Sequence, residues 1–280
     1  MPDTSADELL RASPLDPVDA RVLLAHALGW TRTQLITRGD EPLDAAAVER
    51  YRQLEARRVA GEPVAQLVGL REFFGRPFDV TPDVLIPRPE TELLVEAALD
   101  AIDGIPHPAV LDLGTGSGAI AVSIAAERPD ARVLALDRSP AALAVAARNG
   151  AKLLDPHRPG GPLHWLLSDW YAALDPTLAF NAIVSNPPYI AQHDPHLAQG
   201  DLRFEPRGAL TDDADGLSAI RTIVAGAGAF LKPHGSLWIE HGYDQAEAVR
   251  ALLAARGYVA IESLADLAAI ERTTGGRLPG

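Results

Sequence analysis

The run Ala109-Val110-Leu111-Asp112-Leu113 followed by Gly114-Thr115-Gly116-Ser117-Gly118 narrows most what this chain can become. Five mostly apolar residues read as a buried strand, three glycines in five positions as a tight turn, and the residues from Ala119 to Ala126 as a helix. Strand, glycine turn and helix in that order belong to an open, largely parallel α/β sheet. The turn then lies at the carboxyl edge of the sheet, where such sheets bind ligands.

The alternation continues downstream. A strand over 132–136 ends in Asp137, and Ser139-Pro140 caps a helix reaching Leu153. A strand over 163–167 ends in Ser168-Asp169-Trp170. A fourth, apolar and β-branched from Ala182, stops at Asn186-Pro187-Pro188-Tyr189-Ile190. A long loop over 192–215 precedes a helix over 216–231, a strand over 236–240 and a helix to Arg256. Strands over 258–263 and near Gly276 close the sheet. The expected fold is α/β and doubly wound.

Residues before this sheet differ in texture. Asp16-Pro17 opens a helix with Ala20, Leu23, Leu24, Ala27 and Leu28 at helical spacing and Gly29 at its end. A short helix over 33–37 and a longer one from Asp44 to Gly61 complete a small helical domain over 1–63 with no catalytic residue types. Residues 64–88 read as a hairpin-like connector, with Val64, Gln66 and Val68 alternating and Phe73, Phe74, Phe78 and Val80 following around Gly75 and Pro77. The sheet domain takes 89–280. Its entry, Leu85-Ile86-Pro87-Arg88-Pro89-Glu90-Thr91-Glu92, leads into an amphipathic helix, so Arg88 and Glu90 sit on a turn able to face a ligand.

The Asn-Pro-Pro-Tyr stretch carries the chemistry. Two prolines remove two backbone donors and hold the residues before them extended. What emerges is rigid: the Asn186 carboxamide, carbonyls freed from sheet pairing at Pro187 and Pro188, and the Tyr189 ring. Carbonyl oxygens accept the hydrogens of a planar NH2 group, and a ring stacks on its face.

Gly114, Gly116 and Ala119 fit the dinucleotide fingerprint, and Asp137 lies at a distance suited to a ribose, so a nicotinamide oxidoreductase competes. Asp112 just before the glycines suits a cationic ligand better than a pyrophosphate. The Asn-Pro-Pro-Tyr edge offers amide acceptors and no acid or base for hydride transfer. Both favour S-adenosylmethionine, which carries a sulfonium and an ammonium.

Composition limits the partners. There are no cysteines, which excludes disulfides and thiolate chemistry. The acidic start lacks a signal-peptide pattern and no apolar run approaches a membrane span, so a cytoplasmic protein without membrane contact is expected. The net charge is −13, and the one basic cluster is Arg50, Arg52, Arg57 and Arg58 on a single expected helix. A protein gripping nucleic acid by its phosphates normally shows a basic surface, so no stable nucleic-acid binding is expected. His193 and His196 share a loop without a third ligand, and no metal is expected.

Asp112 to Gly118, Asp137, Ser168-Asp169-Trp170 and Ser185 to Ile190 resemble the class I methyltransferases that act on planar amino groups. Arg71-Glu72-Phe73, Leu85 to Glu92, Asp194-Pro195-His196, Arg203-Phe204-Glu205-Pro206, Asp215-Gly216 and Glu240-His241-Gly242 further resemble the peptide chain release factor glutamine methyltransferases of the PrmC/HemK type. The resemblance implies a Rossmann-like methyltransferase sheet and methyl transfer from S-adenosylmethionine to the glutamine amide of the Gly-Gly-Gln motif in class 1 release factors. It also implies that the helical domain helps grip the release factor.

On this reading Asn186, Pro187 and Tyr189 are catalytic and, with Pro188, bind the substrate. Asp112, Gly114, Thr115, Gly116, Ser117, Gly118, Asp137, Asp169, Trp170 and Asn186 bind the cofactor. Asp137 takes the ribose, the glycine backbone approaches the methionine part, and Asp169 and Trp170 border the adenine. The chain is expected to act as a monomer. The alternative is an amino-methyltransferase acting on adenine or cytosine of DNA or RNA, which shares the Asn-Pro-Pro-Tyr logic.

Overall fold

The computed structural model describes residues 4–280 and divides them into two units. The first holds the chain up to Leu70 together with Gln199–Phe204; the second holds Arg71–Ala198 and Glu205–Gly280.

The first unit is helical: α1 (Ala6–Ala12), α2 (Pro17–Leu28), α3 (Arg32–Thr37), α4 (Ala45–Val59) and α5 (Val64–Val68). Local signals set the helix starts. Ser5 with Glu8 and Thr31 with Gln34 form capping boxes, and Asp16 caps Val18 ahead of Pro17. Leu23, Leu24 and Tyr51, all nearly unexposed, make its core with Leu9, Leu35 and Leu67. Segment Gln199–Phe204 packs here because Arg58 pairs with both Asp19 (2.8 Å) and Asp201 (3.0 Å), while Gln66 donates to the Phe204 carbonyl (3.1 Å). Two of the four arginines of the basic cluster are thus paired with carboxylates, Arg58 here and Arg57 with Glu62, while Arg50 donates to the Ala27 carbonyl.

Residues 64–68 are helical, contrary to the alternation read there. Pro63 sets the helix entry, Gly69 at φ +72° ends it, and Leu67 is the buried position. The hairpin is confined to β1 (Leu70–Phe73) and β2 (Arg76–Asp79). Phe74 and Gly75, both at positive φ, form its two-residue turn. Glu92 accepts the Phe74 N–H at 2.8 Å and ties this turn to α6 (Glu92–Ala101).

The second unit is built on β3 (Ala109–Leu113), β4 (Arg132–Asp137), β5 (His164–Leu167), β6 (Phe180–Ser185), β7 (Leu231–Glu240), β8 (Val259–Ala265) and β9 (Glu271–Arg277). Among the described residues they form a seven-stranded sheet in the order β5-β4-β3-β6-β7-β9-β8. It is parallel except for β9, which runs antiparallel to both neighbours. Neighbouring side chains alternate between the two faces. Val110, Ala182 and Val184 join α6 and α7 (Ala119–Glu127) on one face. Leu111, Leu113, Ile183, Leu237 and Ile239 join α10 (Ser218–Ala227) and α11 (Ala246–Ala255) on the other. Both faces are buried, which is why these strands read as nearly continuous apolar runs. The remaining helices are α8 (Pro140–Leu153) and the short α9 (Arg207–Leu210).

Two expectations shift. The helix after Gly216 ends at Ala227, and β7 begins at Leu231, because Leu231 pairs with Phe180 ahead of a register shift. The 192–215 loop is not bare: it holds 3-10 turns at Pro195–Ala198 and Gly200–Phe204 and then α9. No helix among the described residues is long and apolar enough to cross a membrane.

Candidate active site

Strand order reverses between β3 and β6, and open α/β sheets bind ligands at the carboxyl edge of that switch. Leu113 is paired with Ser185, so Gly114 and Asn186 leave the sheet side by side. Asp137 is level with Leu167, which brings Ser168-Asp169-Trp170 to the same edge. A cavity of about 190 Å³ opens there. Gly114, Thr115, Gly116, Ser117, Asp137, Asp169, Trp170, Asn186, Pro188 and Arg88 all line it.

The glycine turn is wound inward. Gly114 and Thr115 both donate to the Leu136 carbonyl (2.9 Å each), Gly118 donates to Thr115, and Gly116 donates to Asp137 Oδ2 at 2.9 Å. Four of its N–H groups are therefore spent, and a pyrophosphate would find few donors. The carbonyls of Gly114 and Gly116 accept no hydrogen bond among the described residues, which suits a cation. Gly118 is at φ +83°, and a Cβ there would meet the backbone of Ala146 at 3.1 Å, so the turn packs directly on α8. Asp137 also accepts the Ser139 N–H through Oδ1 at 2.9 Å, and each oxygen keeps a lone pair for hydroxyl groups. Trp170 sits at φ +48°, held by Ser168, whose Oγ donates to the Trp170 carbonyl (2.7 Å) and accepts the Ala173 N–H (3.0 Å).

Several sequence candidates stand behind the cavity rather than on it. Asp112 is fully buried and accepts the Thr115 hydroxyl at 2.6 Å. Burial pushes its carboxyl up to about 7, against the Thr115 hydrogen bond. It is thus only partly charged at neutral pH and supports the turn instead of facing a cation. Gly118, Pro187, Tyr189 and Glu90 do not border the cavity either. The Tyr189 hydroxyl instead donates to Glu240 Oε1 at 3.4 Å, and its pKa is raised by burial and by that carboxylate.

The sequence motifs hid three contributors. Thr91, on the 3-10 turn Pro89–Thr91, accepts the Asn186 Nδ2–H at 3.2 Å. Glu205 is buried, accepts the Ile86 N–H at 2.9 Å and pairs with Arg88. It thereby joins two stretches of cavity wall, Val84 to Arg88 and Pro206 to Ala209. Glu240 is 2% exposed, and its carboxyl is pushed up to about 7 by burial and by the charge of Glu90, opposed by Thr91, Tyr189 and Arg272. Each lay inside a quoted motif, but only tertiary contact reveals its role.

These two raised carboxyls give a stability prediction. Unfolded carboxyls titrate near 4, so between about pH 4 and 7 the folded chain holds protons that the unfolded chain has released. Stability from these groups is full below that window and falls as pH rises through it, by about 1.4 kcal/mol per pH unit for each proton. His241, buried and lowered, acts oppositely: its contribution is present above about pH 6.5 and is lost as pH falls. Two carboxyls outweigh one imidazole, so Tm should decline from pH 5 to 7.5 and then level off. A Tm rising steadily over that range would mean that both carboxyls stay charged.

The description "PrmC N-terminal domain" matches residues 4–69, and "Methyltransferase small domain" matches residues 89–202. A release factor glutamine methyltransferase of Burkholderia pseudomallei is 77% identical over 276 residues, covering 99% of this chain and 97% of that protein. One from Bordetella pertussis is 54% identical, covering 98% of this chain and all of that protein. Among solved structures, a T. thermophilus 16S rRNA N2 G1207 methyltransferase with AdoMet and guanosine shares the fold at TM-score 0.54 and 22% identity. That likeness covers 74% of this chain and 49% of the other. With relatives this similar along nearly its whole length, the chain belongs to the release factor glutamine methyltransferase family.

Proposed function

We propose that this chain transfers a methyl group from S-adenosylmethionine to the side-chain amide nitrogen of the glutamine in the Gly-Gly-Gln motif of class 1 peptide chain release factors. One observation carries the reading. Asn186 borders the cavity with its NH2 end engaged by Thr91, and its oxygen makes no hydrogen bond among the described residues. A polar acceptor so placed suits an N–H of the substrate.

The cavity fits the cofactor in its donor set: carbonyls for an ammonium, the Asp137 carboxylate for ribose hydroxyls, and the Trp170 ring beside the glycine turn for the base. When bound, S-adenosylmethionine supplies the electrophilic methyl group. The protein's part is orientation. Asn186 Oδ1, on the cavity wall, takes one amide hydrogen, and the Pro187 carbonyl, next along the chain but off that lining, takes the other, which holds the weakly nucleophilic nitrogen in a near-attack geometry. The same acceptors stabilise positive charge developing on nitrogen. Tyr189, anchored by Glu240, braces the Pro-Pro turn from off the cavity lining.

The helical unit serves as the release factor's docking surface, and the enzyme works as a cytoplasmic monomer. The nucleic-acid amino group remains the competing substrate because it asks for the same acceptors. The charge of −13 and the internal pairing of Arg57 and Arg58 weigh against it. Labelled S-adenosylmethionine offered with release factor, with release factor carrying glutamate at the target, and with nucleic acid decides the matter. Label should enter only the first. Label in nucleic acid, or in the glutamate variant, would overturn the proposal.

A further inference from the structure

We infer that Gln245 is a positioning residue whose carboxamide holds the Tyr189 carbonyl and thereby fixes the far end of the Asn186-Pro187-Pro188-Tyr189 turn. The inference rests on the glutamine-amide reading above. Pro187 and Pro188 have no N–H to give, and neither makes a main-chain hydrogen bond among the described residues. The near end of the turn is set by β6, whose Ser185 is level with Leu113. At the far end the Tyr189 carbonyl accepts from Gln245 Nε2 at 3.0 Å, and the Ile190 N–H donates to the Leu210 carbonyl at 3.0 Å. Asn186 and Pro188, between these two holds, line the cavity.

Gln245 stands just ahead of α11, and three partners orient its amide. Oε1 accepts the Gly242 N–H at 2.9 Å, while Nε2 donates to the Tyr189 carbonyl and to the Gly216 carbonyl at 3.3 Å. A main-chain N–H only donates and a carbonyl only accepts, so a rotated amide would lose all three contacts. Gly242 is held in turn, because its carbonyl takes the Gln245 N–H at 3.0 Å and the His241 Nδ1–H at 2.9 Å. Gly216 makes room for the arrangement. It lies at φ +82°, and a Cβ there would meet the Tyr189 carbonyl oxygen at 2.5 Å and Gln245 Nε2 at 2.9 Å. The approach to α10, the end of β7 and the start of α11 therefore meet at one carbonyl of the reacting edge.

Proline rings lock φ at 187 and 188, which leaves few soft torsions between β6 and Tyr189. With both ends held, the Asn186 oxygen and the Pro187 carbonyl keep the spacing that two hydrogens of one NH2 group require. Released at Tyr189, the turn can pivot on β6, and the near-attack geometry is occupied for less of the time. The cost falls on turnover. The glycine turn lies on β3 and α7 and keeps its own hydrogen bonds, so the cofactor is held as before.

Two substitutions separate the hold on Tyr189 from support of α11. Gln245→Met keeps the side chain's length and loses all three contacts. Gln245→Glu keeps an acceptor for the Gly242 N–H and loses both donors. S-adenosylmethionine affinity is measured by calorimetry beside Tm and beside kcat and KM on release factor, with each variant alone and combined with Asn186→Ala. Both variants should lower kcat about tenfold, the scale of one hydrogen bond, with cofactor affinity unchanged. Combined with Asn186→Ala, either should cost clearly less than that, because the acceptor being positioned is already gone. Gly216→Ala, which presses on the same oxygen, should lower kcat as Gln245→Met does. Wild-type kcat in Gln245→Glu, a loss that multiplies in full with Asn186→Ala, or cofactor affinity falling in step with kcat would overturn the inference. If neither Gln245 variant folds, Gly216→Ala decides: a lowered kcat supports the hold and a wild-type kcat overturns it. Wild-type enzyme that leaves the glutamine unmethylated would instead defeat the parent reading, so the two failures are distinguishable.

Discussion

Asn186→Ala should bind S-adenosylmethionine almost normally while its turnover on release factor falls by roughly 10²–10³, the scale of losing one pre-organised polar partner at a reacting centre. Thr91 keeps its place on the 3-10 turn, and the glycine turn, on a different strand, keeps its own hydrogen bonds. The variant therefore separates orientation of the amide from capture of the cofactor. Replacing the target glutamine with glutamate makes the complementary test. The acceptors would then face oxygen lone pairs, and methylation should vanish. Asparagine, one methylene shorter, should also fail, less completely. Calorimetry with the cofactor and label incorporation under saturating release factor give the two readings. An Asn186→Ala enzyme with ordinary turnover would remove the carboxamide from the reaction.

Asp137→Ala should weaken S-adenosylmethionine binding by roughly 10- to 100-fold, because a hydrogen bond to a charged group is worth about 1.5–3 kcal/mol. Asp137 also accepts the N–H groups of Gly116 and Ser139, so alanine would loosen the turn as well as remove the ribose partner. Asp137→Asn separates the two. Its one remaining oxygen can still hold Gly116 while the charge is gone. Asparagine should fall between wild type and alanine in affinity, with circular dichroism unchanged in both variants. Unaltered affinity in folded Asp137→Ala would remove Asp137 from the site.

The sheet, the glycine turn and the Asn-Pro-Pro-Tyr edge were legible because each is local: apolar runs, turn residues and a strand end lie next to one another in the chain. The supports of that edge were not, for the same reason. Thr91 meets Asn186 across 95 positions, Tyr189 meets Glu240 across 51, and Arg88 meets Glu205 across 117. Asp112 shows the limit from the other side. Sequence places it beside the glycines, but its burial, which decides its charge, belongs to the packed sheet. Short helices fail similarly: over five residues, Val64–Val68 fits an alternating pattern almost as well as a helical one, and Pro63 and Gly69 settle it.

Segment Gln199–Phe204 gives the protein an inheritance problem. It folds with the chain up to Leu70, although the residues on both sides of it belong to the sheet. Ending the first part before Arg71 removes Arg58 and Gln66 together and strands Asp201 and the Phe204 carbonyl. The helical part cannot then be exchanged between relatives by a single crossover. A new front half would meet a strap fitted to the old one, and only a paired replacement of both segments would preserve the match. Chimeras between family members that swap the first 70 residues alone should melt lower than those that carry 199–204 with them.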